Sequence, residues 1–188
     1  MKRIDITPEE LLRRYAAGER NFERVEIYGL KKDALVDANL SGVNLRFVKF
    51  AISNLTGCNL AGADLTEARL ESVCLEGANL SRANLTRADL YRTPLDDADL
   101  SYANLTGVIN PYCSMLRANL TGAILRNANL SEVVLRYANL TGADLTGAIF
   151  GPNALTHTNF TNAIVEGVDW GSVRFKNTIM PDGSIRNQ

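Results

Sequence analysis

Side chains of the types that carry catalysis or hold metals are few in this sequence. His157 is the only histidine, and the cysteines are Cys58, Cys74 and Cys113. A cysteine nucleophile needs a nearby base, and a zinc site needs closely spaced cysteines and histidines, which this spacing does not provide. Motifs for a serine nucleophile, a phosphate loop or a dinucleotide are also missing from the sequence. We therefore predict no catalytic, metal-binding or cofactor-binding residues and a protein that is not an enzyme.

A cluster of carboxylates, Asp96, Asp97 and Asp99, is the remaining candidate for acid–base chemistry. Two carboxylates can share acid and base roles when they face a common substrate. The repeat described below directs all three side chains outward into water and places Arg117 one coil above Asp97. We therefore interpret the cluster as a solvated, charged corner.

Composition and charge describe one ordinary soluble domain. The chain has 188 residues, with 20 basic and 21 acidic side chains and a formal net charge of -1. This balance argues against direct nucleic-acid binding, which usually needs a basic excess. The N-terminus has no apolar stretch and no run of about 18 apolar residues follows, so we expect neither a signal peptide nor a membrane partner. We therefore expect a cytoplasmic protein, and the odd number of cysteines, which suggests reduced thiols, is consistent with this expectation.

An apolar residue recurs at every fifth position, and this spacing governs how any functional side chain is positioned. From Leu30 to Met180 the 31 such positions hold 22 Leu, four Phe, two Met, Val165, Trp170 and, as the one exception, Asn110. Ala usually stands two places before this centre, with Asn or Asp between them. The unit A-(N/D)-L is complete at eleven centres: Leu40, Leu65, Leu80, Leu85, Leu90, Leu100, Leu105, Leu120, Leu130, Leu140 and Leu145.

A step of five residues fits neither a helix nor a flat strand. It rotates a helix by about 140°, and in a strand it sends successive leucines to opposite faces. Within one unit, however, Ala and Leu are two residues apart and share a face, while the Asn or Asp between them points the other way. The remaining two residues are often Thr or Ser followed by Gly, which favours a turn. These features predict a coil whose successive turns stack about 4.8 Å apart.

Departures from the unit recur every 20 residues. The six units centred on Leu75, Leu95, Met115, Leu135, Leu155 and Phe175 are spaced by 20 residues, and none of them carries the Ala and Asn/Asp pair. We call the side of the coil that they form the irregular face. By contrast, the column that runs from Asn39 through Asn59 to Asn159 is almost uninterrupted. A period of 20 with a turn every five residues predicts four sides per coil, one of them irregular.

These in-register copies resemble the pentapeptide-repeat family over roughly residues 20–183. The resemblance implies that family's fold, a right-handed quadrilateral β-helix. We therefore expect an all-β chain of about seven to eight coils with a short N-terminal capping helix. The segments LLRRYAAGERNF and TIMPDGSI resemble the N- and C-terminal flanks of cyanobacterial members.

Residues 1–21 are predicted to form an N-terminal capping segment with a helix at about 8–17. Thr7 and Glu10 match a capping box, Pro8 suits the first turn, and Ile6 can contact Leu11. Such a helix would cover the apolar end and the unpaired edges of the first coil.

The β-helix itself is predicted to occupy residues 22–180, followed by a C-terminal tail at 181–188. A shift in the phase of the repeat predicts a bulge near 28–33. Asn110 at a centre position and Pro111 beside it predict a bulge or short loop that interrupts the coil near 109–116.

Large aromatic residues replace leucine towards the C-terminal end. Trp170 and Phe175 suit a terminal coil, because no further layer fills the space above it. The alternative is that they form a dimer contact. We therefore expect a monomer or a homodimer formed through a solenoid end.

Tyrosine and arginine, which are enriched at protein interfaces, gather along the irregular face. The candidate partner-binding residues are Tyr91, Arg92, Tyr112, Arg117, Tyr137 and His157. We hypothesise that they bind a protein partner. Two alternatives remain: this side of the coil tolerates substitution, or larger inward residues such as Val73 and Val133 complement small alanines opposite.

A filled coil without a cleft favours a non-enzymatic scaffold or regulator that acts by protein–protein binding. The resemblance also implies an alternative, because some members of the family imitate duplex DNA and act on DNA gyrase. Their mechanism depends on a strongly acidic surface, whereas residues 27–188 hold 15 acidic and 14 basic side chains. This near-neutral balance disfavours DNA mimicry.

Overall fold

The computed structural model describes residues 4–29, 33–51, 54–109 and 111–188. Among these residues it has one helix, α1 (Pro8–Ala16), and seven short strands. The strands are β1 (Ile4–Ile6), β2 (Val25–Ile27), β3 (Lys49–Phe50), β4 (Ala154–Thr156), β5 (Arg174–Lys176), β6 (Thr178–Ile179) and β7 (Ile185–Arg186). Most of the remaining described chain alternates single bridging residues with two-residue turns. In these ranges no helix has the length and apolar character needed to cross a membrane.

Parallel pairing between residues 20 positions apart holds successive coils together. Asn39 bridges Asn59, which in turn bridges Asn79. Main-chain hydrogen bonds follow the same course; the Leu100 N–H, for example, donates to the Asn119 carbonyl oxygen at 2.7 Å. Because a turn follows every five residues and pairing recurs every 20, each regular coil has four sides.

The outward Asn and Asp side chains close the turns. Asn104 Oδ1 accepts a hydrogen bond from the Thr106 N–H at 3.0 Å and another from the Thr106 hydroxyl at 2.6 Å. Gly107 then takes a left-handed conformation with a φ of 65°, which turns the chain into the next side. The parity of the repeat predicted the outward direction of these side chains but not their bonds to the turn.

Leucine side chains fill the inside of the coil. The leucines of all eleven complete units have 0% exposure, so the assignment of inward and outward positions is confirmed. In the described part of the chain four polar side chains are also buried, and each donates to a main-chain carbonyl oxygen: Thr93, Asn153, Thr158 and Thr178. Since a buried donor without a partner costs about 1–3 kcal/mol, these bonds let polar residues occupy the interior.

The N-terminal end of the coil is covered by α1 and β1. The Thr7 hydroxyl accepts a hydrogen bond from the Glu10 N–H at 3.2 Å, and Leu11 is fully buried. The Tyr15 hydroxyl donates to the Ser41 carbonyl oxygen at 2.9 Å and joins the helix to the coil beneath it. β1, which the sequence pattern did not predict, pairs in parallel with β2 and protects the edge of the first coil.

The first coil is longer than the regular ones. β2 pairs with β3 so that Glu26 lies beside Lys49, 23 residues away instead of 20. Regular pairing has returned at Asp37, whose N–H donates to the Thr56 carbonyl oxygen at 2.9 Å. The additional residues therefore lie between Ile27 and Asp37. The predicted bulge near 28–33 falls in this stretch, and its residues 30–32 lie outside the described residues.

The bulge or short loop expected near 109–116 is not found in the described part of that segment. Ser114 bridges both Pro94 and Val134, so the five-residue period continues. Pro111 is tolerated because it occupies a turn position that is outside the ladder; one coil earlier, the equivalent N–H bonds an aspartate side chain. Asn110 itself lies outside the described residues.

Aromatic side chains and a returning strand close the C-terminal end. The Trp170 ring stacks on Phe150 with centroids 4.9 Å apart and meets Phe175 edge-on at 5.5 Å. β7, which lies within the predicted tail, pairs antiparallel with β6. Phe175 is buried, and the Arg186 guanidinium lies 4.1 Å from its ring centroid. This packing suits a cap, while a dimer contact through Trp170 and Phe175 stays a prediction.

Candidate protein-binding face

The irregular face, with the turns at its two ends, consists of residues 71–77, 91–97, 111–117, 131–137, 151–157 and 171–177. Hydrogen bonds join these segments into one side of the solenoid; the Met115 N–H, for example, donates to the Val134 carbonyl oxygen at 2.8 Å. Val73, Thr93 and Val133 point inward and are buried. Packing of these side chains explains the inner side of the face but not the residues that it presents to solvent.

The first corner of the irregular face gathers Tyr91, Arg92, Tyr112 and Glu132. The rings of Tyr91 and Tyr112 meet edge to face with centroids 5.8 Å apart, and the Arg92 guanidinium lies 5.0 Å from the Tyr91 ring centroid. A hydrogen bond from the Tyr112 hydroxyl to Glu132 raises the pKa of Tyr112. Tyr112 is nevertheless 52% exposed. Three of the predicted residues thus form one cluster at the surface.

The second corner is a column of side chains along the solenoid axis: Asp97, Arg117, Tyr137, His157 and Asn177. Two hydrogen bonds of 2.6 Å join Arg117 to Asp97 and hold the pKa of that carboxyl below its usual range. The rings of Tyr137 and His157 stack with centroids 4.9 Å apart, and Asn177 Nδ2 lies 3.4 Å from His157 Nε2. The structure therefore places Arg117, Tyr137 and His157 in consecutive coils, as the 20-residue period predicts.

Between the two corners, most of the surface is formed by small or apolar side chains, with Arg174 at its C-terminal end. Val134 is 45% exposed, and Ala154 is also exposed. Arg136 lies at the edge of this strip, with its guanidinium 5.4 Å from the Tyr137 ring centroid. Val134, Arg136 and Glu132 were not among the predicted site residues. The sequence could have identified them, because the parity of the repeat directs these side chains outward and places them beside the predicted tyrosines.

Both corners keep large side chains at positions that glycine fits more easily. Arg92, Tyr112, Arg117, Tyr137 and His157 have φ values between 54° and 61°. A left-handed conformation costs a residue with a Cβ roughly 1–2 kcal/mol. On the other two corners, equivalent positions include Gly107, Gly122, Gly142 and Gly147. The other two corners also hold bulky residues in this conformation, at Phe47, Arg82, Arg87 and Tyr102, so backbone conformation alone does not distinguish the irregular face.

The chemistry of the face suits binding better than catalysis. No group of three or more His, Cys, Asp or Glu side chains could hold a metal within the described ranges. Cys113 lies on the inner side of the face, where burial and the charge of Asp96 raise the pKa of its thiol. A thiol that stays protonated is a poor nucleophile. The exposed groups include aromatic rings and guanidinium groups, which are common at the centres of protein interfaces.

Solved structures similar to this chain include two that are described as pentapeptide repeat proteins. HetL, a pentapeptide repeat protein involved in heterocyst differentiation regulation from the cyanobacterium Nostoc sp. strain PCC 7120, is 28% identical over 96% of this chain and 100% of its own, with a TM-score of 0.35. Rfr23 from the cyanobacterium Cyanothece 51142 is 28% identical over 68% of this chain and 90% of its own, with a TM-score of 0.29. QnrB1, a plasmid-mediated fluoroquinolone resistance protein, is 18% identical over 91% of this chain and 89% of its own, with a TM-score of 0.29.

The repeat also identifies the family directly. No curated protein gives a significant match. The family model described as pentapeptide repeats matches with 8 copies, at residues 38–81, 74–109 and 113–151. These ranges cover more than half of the chain and include all eleven complete A-(N/D)-L units. The chain therefore belongs to the pentapeptide-repeat family.

Proposed function

We propose that this chain is a right-handed quadrilateral β-helix of about seven to eight coils that acts in the cytoplasm as a non-enzymatic scaffold or regulator. It does so by binding a protein partner through the irregular face. One observation carries the proposal: Tyr112 at the first corner and the column of Arg117, Tyr137 and His157 at the second corner are exposed on the side of the solenoid that departs from the repeat.

The physical properties of these residues favour a protein as the ligand. Tyr112 and Tyr137 are 52% and 48% exposed, and each offers a large ring with few rotatable bonds, so little conformational entropy is lost on binding. Their backbone is fixed by the turns of the coil, which reduces the cost of ordering the surface. Val134 between them adds apolar area that a partner would remove from water.

A pull-down from the native host tests the proposal. We expect the triple variant Tyr112→Ala/Arg117→Ala/Tyr137→Ala to recover its partner at least about fivefold less than the wild type, because interface tyrosines and arginines often dominate binding energy. The matched control, Tyr28→Ala/Arg82→Ala/Tyr102→Ala, removes the same residue types from other surfaces and should recover the partner normally. Equal recovery by both triples would refute the proposal.

The alternative function, DNA mimicry towards DNA gyrase, is less well supported by the surface charges. From residue 27 onward, four carboxylates of the described chain lie beside arginines: Asp64 with Arg46, Glu67 with Arg87, Asp97 with Arg117 and Asp144 with Arg126. These cations weaken the negative field that would attract a DNA-binding surface. We expect neither inhibition of gyrase supercoiling nor protection from gyrase-directed drugs at micromolar protein, and either effect would favour mimicry.

A further inference from the structure

We propose that the irregular face binds a second copy of this chain, with the two solenoids antiparallel and packed face to face. This inference rests on the proposed function, since it names an occupant of the same face. The copies are related by a twofold axis that lies in the plane of contact, perpendicular to both solenoids and midway between segments 111–117 and 131–137. Three pairs of segments then face each other: 71–77 with 171–177, 91–97 with 151–157, and 111–117 with 131–137.

The charges of the irregular face change sign along the solenoid. Its N-terminal end carries Glu71 and Glu76, and its C-terminal end carries Arg174 and Lys176, all of them exposed. None of these four side chains forms a salt bridge with another described residue. An antiparallel copy brings the acidic end of each chain against the basic end of the other, so the twofold symmetry produces two contacts between opposite charges.

Individual positions match as well as the two ends do. Because the twofold axis lies across the solenoid, each position faces the equivalent position of the opposing coil. Glu76 therefore faces Lys176, an oppositely charged pair. Arg117 faces Tyr137, an uncharged residue.

Complementary shapes occupy the strip between the charged ends. In each of three facing pairs at least one residue is small. The pairs are Ser114 with Val134, Pro94 with Ala154, and Tyr91 with Gly151. Small residues allow the two faces to approach closely. Opposite a glycine, the Tyr91 ring has room to lie against the second copy.

The remaining cations of the face also meet uncharged residues in this arrangement. Three arginines face a residue without charge: Arg92 faces Pro152, Arg136 faces Leu116, and Arg174 faces Cys74. No two like charges oppose each other at equivalent positions. A parallel arrangement would instead set each segment against its own copy with the order of positions reversed, so Glu71 would lie beside Glu76 of the second copy and Arg174 would face Arg174. Like-charge repulsion therefore selects the antiparallel orientation.

The size of the contact indicates a weak and salt-sensitive dimer. Five steps of about 4.8 Å separate segments 71–77 and 171–177, so the contact is only about 24 Å long. Interfaces below the standard area are usually transient. Exposed charges are screened by salt, so we expect micromolar affinity that weakens as ionic strength rises.

Sedimentation analysis of the full chain over a range of protein concentrations at low salt tests the inference. We expect a monomer–dimer equilibrium whose Kd rises at least about tenfold in Lys176→Glu, because the Glu76 contact with Lys176 occurs twice and becomes repulsive in both places. Glu76→Lys should have the same effect. The double variant Glu76→Lys/Lys176→Glu should return the Kd to within about threefold of the wild type.

Two controls isolate the orientation of the pair. Arg69→Glu and Glu166→Lys make the same charge changes on exposed residues away from the irregular face and should leave the Kd unchanged. The double variant should also fail to associate with the wild type, because its reversed ends would face like charges. Circular dichroism on every variant checks that the coil is folded.

Several results would overturn the inference. These are a chain that stays monomeric at all concentrations, a dimer unaffected by either single reversal, and a double variant that does not recover. A dimer unaffected by the reversals would point to a solenoid end as the contact. Capture of a host protein by a monomeric chain, lost in Tyr112→Ala/Arg117→Ala/Tyr137→Ala, would overturn self-association while leaving the proposed function intact.

Discussion

Cys58 lies inside the coil at a position usually held by alanine. Burial, assisted by the nearby charge of Asp37, raises the pKa of its thiol to about 12. In the unfolded chain the pKa of the thiol is about 8.5. Between these values the unfolded state loses its proton first, so the free energy of unfolding falls as pH rises. The contribution of Cys58 is fully present below about pH 8.5 and is lost by about 1.4 kcal/mol per pH unit above it.

Cys58→Ala should remove this part of the pH dependence. Alanine occupies the equivalent position one coil later, at Ala78, and is buried there, so the variant should fold. Urea denaturation at pH 8 and pH 10 measures the slope. Val73→Ala, which empties a buried position without a titratable group, should keep the wild-type slope. A slope that is the same in Cys58→Ala and the wild type would contradict the assigned burial of this thiol.

Parity and period were enough to predict which residues point outward and which share a corner. They predicted that Arg117 lies one coil above Asp97, and the salt bridge between them confirms it. The bond from Tyr112 to Glu132 was not predicted. A corner side chain has neighbours on the coils above and below, and the choice between them depends on its conformer, which the repeat does not specify.

At the scale of elements, α1 depends on the Thr7 hydroxyl as its N-terminal cap. This hydroxyl accepts the Glu10 N–H, which has no partner inside the helix. Thr7→Ala should lower the free energy of unfolding by about 1 kcal/mol, and chemical denaturation measures the change. Thr7→Ser keeps the acceptor and should match the wild type. A loss of equal size in both variants would show that the hydroxyl is not the stabilising group.

Elements with strong local signals were predicted well. The capping box and the apolar spacing predicted a helix at 8–17, and α1 spans Pro8–Ala16. β1 and β7 were missed because each is too short for a periodic pattern and is defined by its pairing with distant residues. The expected loop near Pro111 was wrong where the segment is described, because proline was judged as a ladder residue and it occupies a turn.

At the scale of the whole molecule, the stacked leucines join all coils into one core. Leu100 lies at the middle of this stack with 0% exposure. Leu100→Asp would bury a carboxylate without a partner, which costs far more than the few kcal/mol that a single substitution usually costs. We expect thermal unfolding to lose its cooperative transition.

Asn104→Asp is the control for this substitution. It adds the same charge at an outward position, and Asp64 and Asp144 occupy the equivalent position in other coils. The melting temperature of this variant should therefore stay near that of the wild type. A melting temperature for Leu100→Asp that matches the wild type would contradict the assignment of inward and outward positions.

The four-sided coil could be predicted from the sequence because the same packing solution is repeated in every unit. For function, the sequence predicted only which surface binds a partner, because a regular repeat describes a shape and does not identify that partner. Within the irregular face, part of the irregularity is internal packing by residues such as Val73 and Thr93. The exposed tyrosines and arginines are the part that folding does not explain.

The most direct test of the irregular face as a protein-binding surface is site-specific photocrosslinking in the native host. A photoreactive phenylalanine derivative would replace Tyr112 or Tyr137 on the face, and Tyr102 on another corner as the matched control. Tyr102, Tyr112 and Tyr137 are 59%, 52% and 48% exposed, so all three positions are accessible. We predict discrete crosslinked protein products from Tyr112 and Tyr137 and none from Tyr102. Crosslinking from Tyr102 alone, equal crosslinking from all three, or none from any of them would contradict the role proposed for the irregular face.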